Sequence, residues 1–396
     1  GCIDAEGNPW DPTDDIDDNM LYFVAENTSA GVDPTQKHYW RWHTYDYYTG
    51  VSWGVNTTLV GYTQMFPEWS TTQGVADSSF WNSSEVLEWT IQYYDDGVMD
   101  PDYELIAPYN AVNFTSWLDN NAGLNFSNFT RDILIDQSSV DTLYVTAPQV
   151  FFGPQIIANT TSFSGSSYAY DLPDTFLDKH SSYVDAVTNT VINESGAFTA
   201  WEKVLAIQDY LINGNSTTSF TLNYDGSGRT DAIAEYPGPP SNDIAHWILN
   251  TTQEGSCDEF TTVFSVMLRL AGIPTRKVTG FAGGTWTGKS FEVYGKDFTR
   301  WVEVHLETNQ NQGGLDMGWI PFEACPPMAT LEVVDVEWGP SWVERNLSTG
   351  DIWLNGTLQF ADNGTAAENV TMYLYLVRSN DTGDVPGNAA LSEHLV

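Results

Sequence analysis

The spacing of hydrophobic residues along the chain changes near residue 185. Before that point, short apolar runs such as VLEWTI, which begins at Val86, are separated by clusters of Gly, Asn and Asp. Beyond it, apolar residues recur at helical spacing, as at Val204, Ile207 and Leu211. The pattern therefore predicts a β-rich N-terminal domain over residues 1–185 and helices after it.

The next segment, residues 186–333, is predicted to be an α+β domain. Helical spacing covers 183–192 and 200–212, and a third helix begins near Ser256 and ends at Gly272. The strands predicted after this helix cover residues 275–281, 291–294, 299–306 and 318–321. Helices followed by a run of strands are typical of an α+β fold.

The β pattern returns over residues 334–396, where Asp362-Asn363-Gly364 is a strong turn signal. This segment resembles the start of an immunoglobulin-like β-sandwich, a module of about 100 residues. Only about 60 residues remain. We therefore expect an incomplete C-terminal module, whose missing strands come from a continuing chain or from a partner.

The charge of the chain limits its partners. The 396 residues carry a formal net charge of −39, from 53 acidic and 14 basic side chains. Such a field repels phosphate backbones and excludes nucleic acid as a natural partner. It favours a soluble, self-repelling surface, with a cation-collecting surface as the alternative. Asp14, Asp15, Asp17 and Asp18 form a candidate calcium site, although a solvated acidic loop is the favoured interpretation. No cofactor is required.

Glycosylation signals are unusually dense. Of 27 asparagines, 15 begin an Asn-x-Ser/Thr triplet, where chance gives roughly a third as many. This enrichment predicts an N-glycosylated protein of the extracellular space or cell surface, and an archaeal surface is the suggested origin. The triplets begin at Asn27, Asn56, Asn82, Asn113, Asn125, Asn128, Asn159, Asn193, Asn215, Asn250, Asn346, Asn355, Asn363, Asn369 and Asn380.

Three cysteines are present, namely Cys2, Cys257 and Cys325. Outside the cell thiols tend to pair, and an odd number leaves one over. Ser256 is a natural N-cap, which places Cys257 in the first turn of the third helix, where the helix dipole favours a thiolate. Such a cysteine is either a nucleophile or a buried or disulfide-bonded residue.

The sequence around Cys257 resembles the transglutaminase-like superfamily. The resemblance rests on GSCDEFTTVFSVMLRLAGIPTRKVTGFAGG at 255–284, and on WVEV and GWIPF, which begin at Trp301 and Gly318. It covers about 190–330 and extends less specifically towards residue 35, where it is similar to membrane-anchored prokaryotic members. It implies a papain-like α+β core and a Cys-His-Asp triad for acyl transfer or amide hydrolysis.

The resemblance implies a degenerate triad. It places Cys257 at the nucleophile, Thr299 at the histidine and Glu323 at the aspartate. Glutamate only lengthens the orienting carboxylate, but a threonine hydroxyl does not titrate near neutral pH, and losing a general acid-base group costs ~10²–10⁴ in rate. His246, before the third helix, could approach as a substitute, whereas His305 is expected roughly 20 Å along the strand from Thr299.

The same resemblance implies that the segment after Glu323 runs beside the third helix. Cys257 and Cys325 could then form a disulfide, which would replace a reactive centre with a covalent staple.

These expectations favour a non-catalytic protein. The favoured function is a glycosylated structural component of a cell surface or filament, built on a degenerate transglutaminase-like scaffold. Its expected partners are other copies of itself, cell-surface proteins and N-linked glycans. Two alternatives stay open: an active thiol transglutaminase or amidase that uses Cys257 with a displaced base, and a peptide- or glycan-binding module.

Overall fold

A computed structural model describes residues 2–3, 9–10, 19–29, 32–55, 62–64, 75–94, 104–116, 124–127, 133–135, 142–163, 167–215, 220–222, 243–325, 331–339 and 353–360. The chain divides into two compact units, Gly1–Pro326 and Pro327–Val396. The three-domain organisation expected from the sequence differs from this division. No boundary near residue 185 separates two units, because strands from both sides of it pair in the same sheets.

The described strands are β1 (Cys2–Ile3), β2 (Pro9–Trp10), β3 (Leu21–Asn27), β4 (Tyr39–Tyr45), β5 (Tyr47–Tyr48), β6 (Trp53–Gly54), β7 (Tyr62–Gln64), β8 (Trp81–Tyr93), β9 (Glu104–Leu105), β10 (Ala107–Pro108), β11 (Asn113–Ser116), β12 (Leu124–Ser127), β13 (Ile133–Ile135), β14 (Thr142–Val150), β15 (Thr160–Ser162), β16 (Thr221–Leu222), β17 (Glu254–Gly255), β18 (Thr275–Ala282), β19 (Thr285–Trp286), β20 (Ser290–Tyr294), β21 (Phe298–Thr308), β22 (Asp316–Phe322), β23 (Leu331–Gly339) and β24 (Trp353–Phe360).

The described α-helices are α1 (Pro154–Ile157), α2 (Asp174–Lys179), α3 (Ser181–Ser195), α4 (Ala200–Asn213), α5 (Ile244–Trp247) and α6 (Cys257–Leu270). A π-helical turn, Ile248–Thr252, continues α5. The three helices predicted from apolar spacing are confirmed as α3, α4 and α6, and the four strands predicted after them are confirmed as β18, β20, β21 and β22.

Two six-stranded sheets organise the first unit. The core sheet has the order β10-β4-β18-β21-β15, and β22 also pairs with β21. The second sheet has the order β11-β14-β8-β3-β20-β19. In the core sheet β4 pairs with β18, and in the second sheet β3 pairs with β20, so segments from before and after the helices are interleaved. This interleaving makes the N-terminal strands part of the core domain.

The two sheets and the helices bury two apolar clusters. The first cluster joins α3, α4 and α6 to core-sheet residues such as Val302 and Val304. The second joins the core sheet to the second sheet through aromatic residues, including Trp40, Trp89 and Phe291. Burial of large aromatic side chains is a main source of stability in both clusters. The core sheet is therefore covered by helices through one cluster and by the second sheet through the other.

Helix α6 is the central helix of the first unit, and Arg269 anchors its C-terminal end. The buried guanidinium of Arg269 donates to the carbonyl oxygens of Asp171 (2.5 Å), Asp46 (2.7 Å) and Thr275 (2.8 Å). It also lies 5.0 Å from the ring centroid of Trp53. A cation at a helix C-terminus interacts favourably with the helix dipole. One side chain thus ties α6 to three separate segments.

The structure explains why the motif at residues 255–284 has a glycine at position 280. It lies on β18 at a register shift against β4. A Cβ atom at this position would lie 2.8 Å from Cη2 of Trp301, and it would also clash with the backbone of Trp40. Only glycine lets the two strands and the indole approach this closely.

The second unit is described only by β23 and β24, which pair with each other antiparallel. The remaining residues of 334–396, including the Asp362-Asn363-Gly364 turn signal, lie outside the described residues. The incomplete immunoglobulin-like module stays a prediction.

Candidate functional site

The N-terminus of α6 begins where the sequence predicts it. Ser256 precedes the helix, and its backbone N–H donates to Oε2 of Glu259 at 2.6 Å. Cys257 is the first helical residue. Glu259 occupies the third helical position and reaches back to the cap, as in a capping box. This local chemistry fixes both the start of α6 and the place of Cys257.

Cys257 and Cys325 are joined as a disulfide, with their Cα atoms 5.1 Å apart. Cys325 follows β22 by three residues, so the bond connects the start of α6 to the end of the core sheet. Both cysteines are half-buried. A sulfur in a disulfide is not a thiolate, and only the thiolate is the nucleophile. In this state Cys257 is unable to attack an amide carbonyl.

Thr299 lies on β21 directly opposite Gly280 of β18. This stretch of β21 runs beside the first turns of α6, because Oγ1 of Thr261 lies 3.5 Å from the carbonyl oxygen of Arg300. The same hydroxyl donates to the carbonyl oxygen of Cys257 at 2.7 Å. The strand that carries Thr299 is therefore adjacent to the helix that carries the cysteine.

A buried charge cluster follows the cysteine. Asp258 Oδ1 lies 2.7 Å from Nε of Arg300 and also accepts a hydrogen bond from Nζ of Lys277. Burial alone would raise the pKa of Asp258, but the two cations outweigh it and hold that pKa well below its usual range. This carboxylate stays ionised at neutral pH, so it is unsuited to act as an acid or base there.

Glu323 contacts a lysine rather than an imidazole. Its Oε2 lies 2.6 Å from Nζ of Lys37. Its backbone carbonyl accepts a hydrogen bond from Nε2 of Gln208 at 2.5 Å. Burial first, and then the nearby carboxylate of Glu323, raise the pKa of Tyr39. The carboxylate at the third triad position is thus held by the segment that leads into β4.

His246 and His305 are the histidines considered as replacements for the missing catalytic histidine, and the ring of each packs against other side chains. The ring of His246 lies 4.8 Å from that of His180 and 5.2 Å from that of Tyr183, centroid to centroid. Nε2 of His305 lies 2.7 Å from Oδ1 of Asp316, and its ring stacks on Phe163. Burial lowers the pKa of both imidazoles.

Sequence reasoning missed several residues of this site. Lys37, Gln208, Lys277 and Arg300 all contact groups beside the triad positions. One signal was available: six of the 14 basic residues fall between Arg269 and Arg300. Such clustering in a strongly acidic chain indicates cations with specific partners. The Lys37 contact has no such signal, because 286 positions separate Lys37 from Glu323.

The candidate calcium ligands Asp14, Asp15, Asp17 and Asp18 lie outside the described residues. Among the residues that the structure does describe, no group of three or more His, Cys, Asp or Glu side chains is arranged to hold a metal ion.

The glycosylation triplets differ in accessibility. Asn113, Asn193, Asn215 and Asn250 are exposed, and Asn159 is half-buried. Asn27 is an exception, because its side chain is only 6% exposed. A buried amide has no space for a glycan, so the structure argues against modification of Asn27. The other nine triplets cannot be assessed in this way. The structure does not describe the side chains of Asn82, Asn125 and Asn355, and it does not describe any part of Asn56, Asn128, Asn346, Asn363, Asn369 and Asn380.

Residues 185–324 match the family model described as the transglutaminase-like superfamily. This match contains Cys257, Thr299 and Glu323, and its α6 and core-sheet strands have the order that the resemblance implies. Residues 185–324 therefore match the transglutaminase-like superfamily as an α+β domain, and a β-rich region precedes them.

Individual relatives share little sequence identity with this chain. The chain is 27% identical over 173 residues to the uncharacterized protein YebA of Bacillus subtilis; the match covers 42% of this chain and 20% of that relative. The chain thus spans about a fifth of YebA. The crystal structure of the periplasmic domain of TgpA from Pseudomonas aeruginosa is 17% identical, with 77% of this chain and 88% of that chain covered and a TM-score of 0.48. The structure of the same domain bound to ethylmercury is 16% identical, with 77% of this chain and 90% of that chain covered and a TM-score of 0.48.

Among the described residues, no helix combines the length and the apolar character needed to cross a membrane.

Proposed function

We propose that this protein is an extracellular structural component of a cell surface or filament, which uses its transglutaminase-like domain as a scaffold and not as a catalyst. The observation that carries the proposal is the disulfide between Cys257 and Cys325. It occupies the one sulfur that the family chemistry would use as a nucleophile.

The chemistry of the neighbouring positions supports the same conclusion. Acyl transfer from an amide needs a thiolate, a base that generates it and an acid that protonates the leaving amine. Thr299 supplies neither the base nor the acid. Glu323, which would orient an imidazole, is paired with Lys37 instead. Even a reduced Cys257 would therefore face a threonine at the family's histidine position.

The disulfide is well placed to stabilise the fold as a covalent cross-link. It joins residues 68 positions apart. Closing a loop of that length removes conformational entropy from the unfolded chain, worth about 4 kcal/mol in the loop-entropy description. An extracellular location would keep the bond oxidised, and the exposed triplets at Asn113, Asn193, Asn215 and Asn250 are consistent with a glycosylated surface. The partners in this proposal are other copies of the chain or neighbouring surface proteins, joined by strand addition at the C-terminal module.

The catalytic part of the proposal is tested with the oxidised and reduced protein side by side. Iodoacetamide labelling followed by peptide mass spectrometry should find Cys257 and Cys325 unlabelled before reduction and labelled after it. Incorporation of an amine probe into casein, and amide hydrolysis, should be undetectable in both states. Thr299→His should change nothing while the disulfide is intact. Turnover by the reduced protein that Cys257→Ser abolishes would establish the enzyme alternative instead.

The structural part needs a separate measurement. Sedimentation velocity over a wide concentration range should show assembly into oligomers or polymers, and truncation after Pro326 should prevent it. A chain that stays monomeric at every concentration, both alone and with cell-surface extract, would contradict self-assembly without restoring catalysis.

A further inference from the structure

The geometry points to a carbohydrate-binding site, in a cavity of about 420 Å³ between the core sheet and the second sheet. The inference is independent of the scaffold role, because the cavity does not use the disulfide. Its walls come from β4 and the segment leading into it, from β8, from β10 and the residues after it, from the end of β14, and from β22. This volume is within the range of pockets that hold small organic ligands.

The cavity differs in charge from the rest of the protein. Not one of its 18 described lining residues is acidic, although the chain has 53 acidic side chains. The one lysine among these 18 residues, Lys37, is paired with Glu323 outside the lining. Burial lowers the pKa of the lining histidine, His38, so that its ring is mostly neutral at pH 7. A nearly neutral cavity in an acidic molecule fits an uncharged, polar ligand.

Aromatic rings form much of the wall. Trp40 and Trp89 pack edge to face with ring centroids 5.0 Å apart, and both are buried, so this part of the wall is rigid. Tyr109 is half-buried, and Phe151 is 71% exposed at the rim. The negative face of an aromatic ring attracts weakly positive C–H groups. The C–H face of a pyranose ring offers such groups, together with a flat shape that matches the accessible rings of Tyr109 and Phe151.

Amide side chains supply the polar part of the lining. Gln36, Asn110 and Gln149 all line the cavity. Each amide carries donors and an acceptor, which matches sugar hydroxyls that donate and accept. Nδ2 of Asn110 donates to the carbonyl oxygen of Pro148 at 2.6 Å. This bond fixes the orientation of the amide and uses only one of its two N–H groups.

The backbone of the wall favours a sugar over an extended peptide. The N–H of Tyr109 donates to the carbonyl oxygen of Tyr39, and the N–H of Phe151 donates to the carbonyl oxygen of Phe80. A peptide that adds a strand needs main-chain donors and acceptors facing it. These two donors already have internal partners, so neither is available to an added peptide strand.

The test uses N,N′-diacetylchitobiose, maltose and cellobiose as probes, with tetra-alanine as the peptide comparison. Saturation-transfer NMR and tryptophan fluorescence titration of the full chain should detect at least one disaccharide, with a dissociation constant of about 1 mM or tighter. Phe151→Ala and Gln149→Ala should each weaken binding by about fivefold or more. Phe198→Ala is the matched control, since Phe198 is 88% exposed and does not line the cavity.

Three outcomes would overturn the inference: no disaccharide bound at about 10 mM, binding of tetra-alanine alone, or equal effects of Phe151→Ala and Phe198→Ala. The source of a bound sugar can be separated with the glycosylated and the non-glycosylated protein. Self-association that only the glycosylated protein shows, and that free disaccharide reverses, would assign the ligand to a glycan on a second copy. Binding without such self-association would assign it to an external carbohydrate.

Discussion

Arg41 and Glu303 form a buried ion pair although 262 positions separate them in the sequence. Nη2 of Arg41 lies 2.7 Å from Oε1 and 2.8 Å from Oε2 of Glu303. Arg276 donates to the same carboxylate, with Nη2 at 2.6 Å from Oε2. The pair joins β4 to β21 across β18, and so it ties the N-terminal strands to the family domain.

Loss of the Glu303 charge should destabilise the fold severely. Burial alone would raise the pKa of Glu303, but Arg41 and Arg276 hold it below its usual value, so the group is ionised in the folded protein. Glu303→Gln would remove the buried negative charge that the guanidinium groups of Arg41 and Arg276 both contact. We expect a loss of about 3–5 kcal/mol in the free energy of unfolding, measured by urea denaturation at pH 7.

The matched control is Glu26→Gln. Glu26 also pairs with a basic residue, Lys289, but that pair is exposed to solvent. Exposed pairs contribute about 1 kcal/mol or less. Similar small losses in the two variants would show that Glu303 is not the electrostatic link between the strands.

Removal of Cys325 should destabilise the protein and make Cys257 reactive. Cys325→Ser opens the loop of 68 positions, and we expect a loss of up to about 4 kcal/mol. Dithiothreitol should lower the melting temperature of the wild type towards that of the variant and leave the variant unchanged. Cys2→Ser is the control, because the disulfide does not include Cys2, and it should retain the response to dithiothreitol. If dithiothreitol leaves the melting temperature of the wild type unchanged, Cys257 and Cys325 do not form a disulfide.

The family domain was predictable because its signals are local. The apolar stripe and cap of α6, and the strand pattern after it, lie in consecutive residues of the sequence. The position of Thr299 opposite Gly280 follows from strand pairing within that same segment. Each element needed only its own sequence to be recognised.

The joining of the N-terminal region to the domain was not predictable in the same way. The run at Tyr39 reads as a strand of either a separate domain or the core sheet, because its pairing with β18 is set by contacts more than 200 positions away. The Lys37–Glu323 pair has the same cause. Periodicity indicates which residues are in strands, but it does not show which strands are neighbours.

Salt should stabilise this protein more than it stabilises an ordinary domain. Of the 14 basic side chains, five are buried within the described residues, namely Arg41, Arg269, Arg276, Lys277 and Arg300. Six acidic side chains are buried there as well, so the surface carries nearly the whole net charge of −39. Self-repulsion of such a surface destabilises the compact state. Raising sodium chloride from about 0.05 to 1 M shortens the screening length and should raise the urea midpoint.

The comparison for the salt effect is the same titration at about pH 4, where many carboxylates are protonated. The gain from salt should be smaller there than at pH 7.5. An equal gain at both pH values would point to a general effect of salt on hydrophobic burial rather than to screening.

Asp243 should make stability fall as the pH rises through the weakly acidic range. It caps α5 by accepting from the N–H groups of Ala245 and His246, and its Oδ2 lies 2.8 Å from the hydroxyl of Tyr48. Burial raises the pKa of Asp243 to about 6 despite these hydrogen bonds. The hydroxyl of Tyr48 also lies 2.7 Å from the carbonyl oxygen of Gly50, and its single proton serves only one of the two acceptors. A protonated Asp243 resolves this conflict by donating to Tyr48.

The direction of this pH dependence of stability follows from the number of protons that the folded and unfolded states bind. Between the unfolded pKa of about 3.9 and the folded pKa of about 6, the folded protein holds a proton that the unfolded chain has released. Stability from this group therefore decreases from about pH 4 to about pH 6, and then levels off. Asparagine keeps the cap and mimics the protonated acid. Asp243→Asn should match the wild type near pH 4 and exceed its stability by about 1–3 kcal/mol at pH 7.5.

Glu202 provides a control of opposite sign. It belongs to the capping box of α4, and hydrogen bonds from the backbone N–H groups of Thr199 and Phe198 lower its pKa. Its stabilisation is present above the unfolded pKa and is lost as the pH falls, so Glu202→Gln should be most harmful at neutral pH. Melting temperatures of wild type, Asp243→Asn and Glu202→Gln from pH 4 to 8 separate the two cases. If the difference between Asp243→Asn and wild type stays constant over that range, folding does not raise the pKa of Asp243, and the proton-sharing arrangement with Tyr48 is wrong.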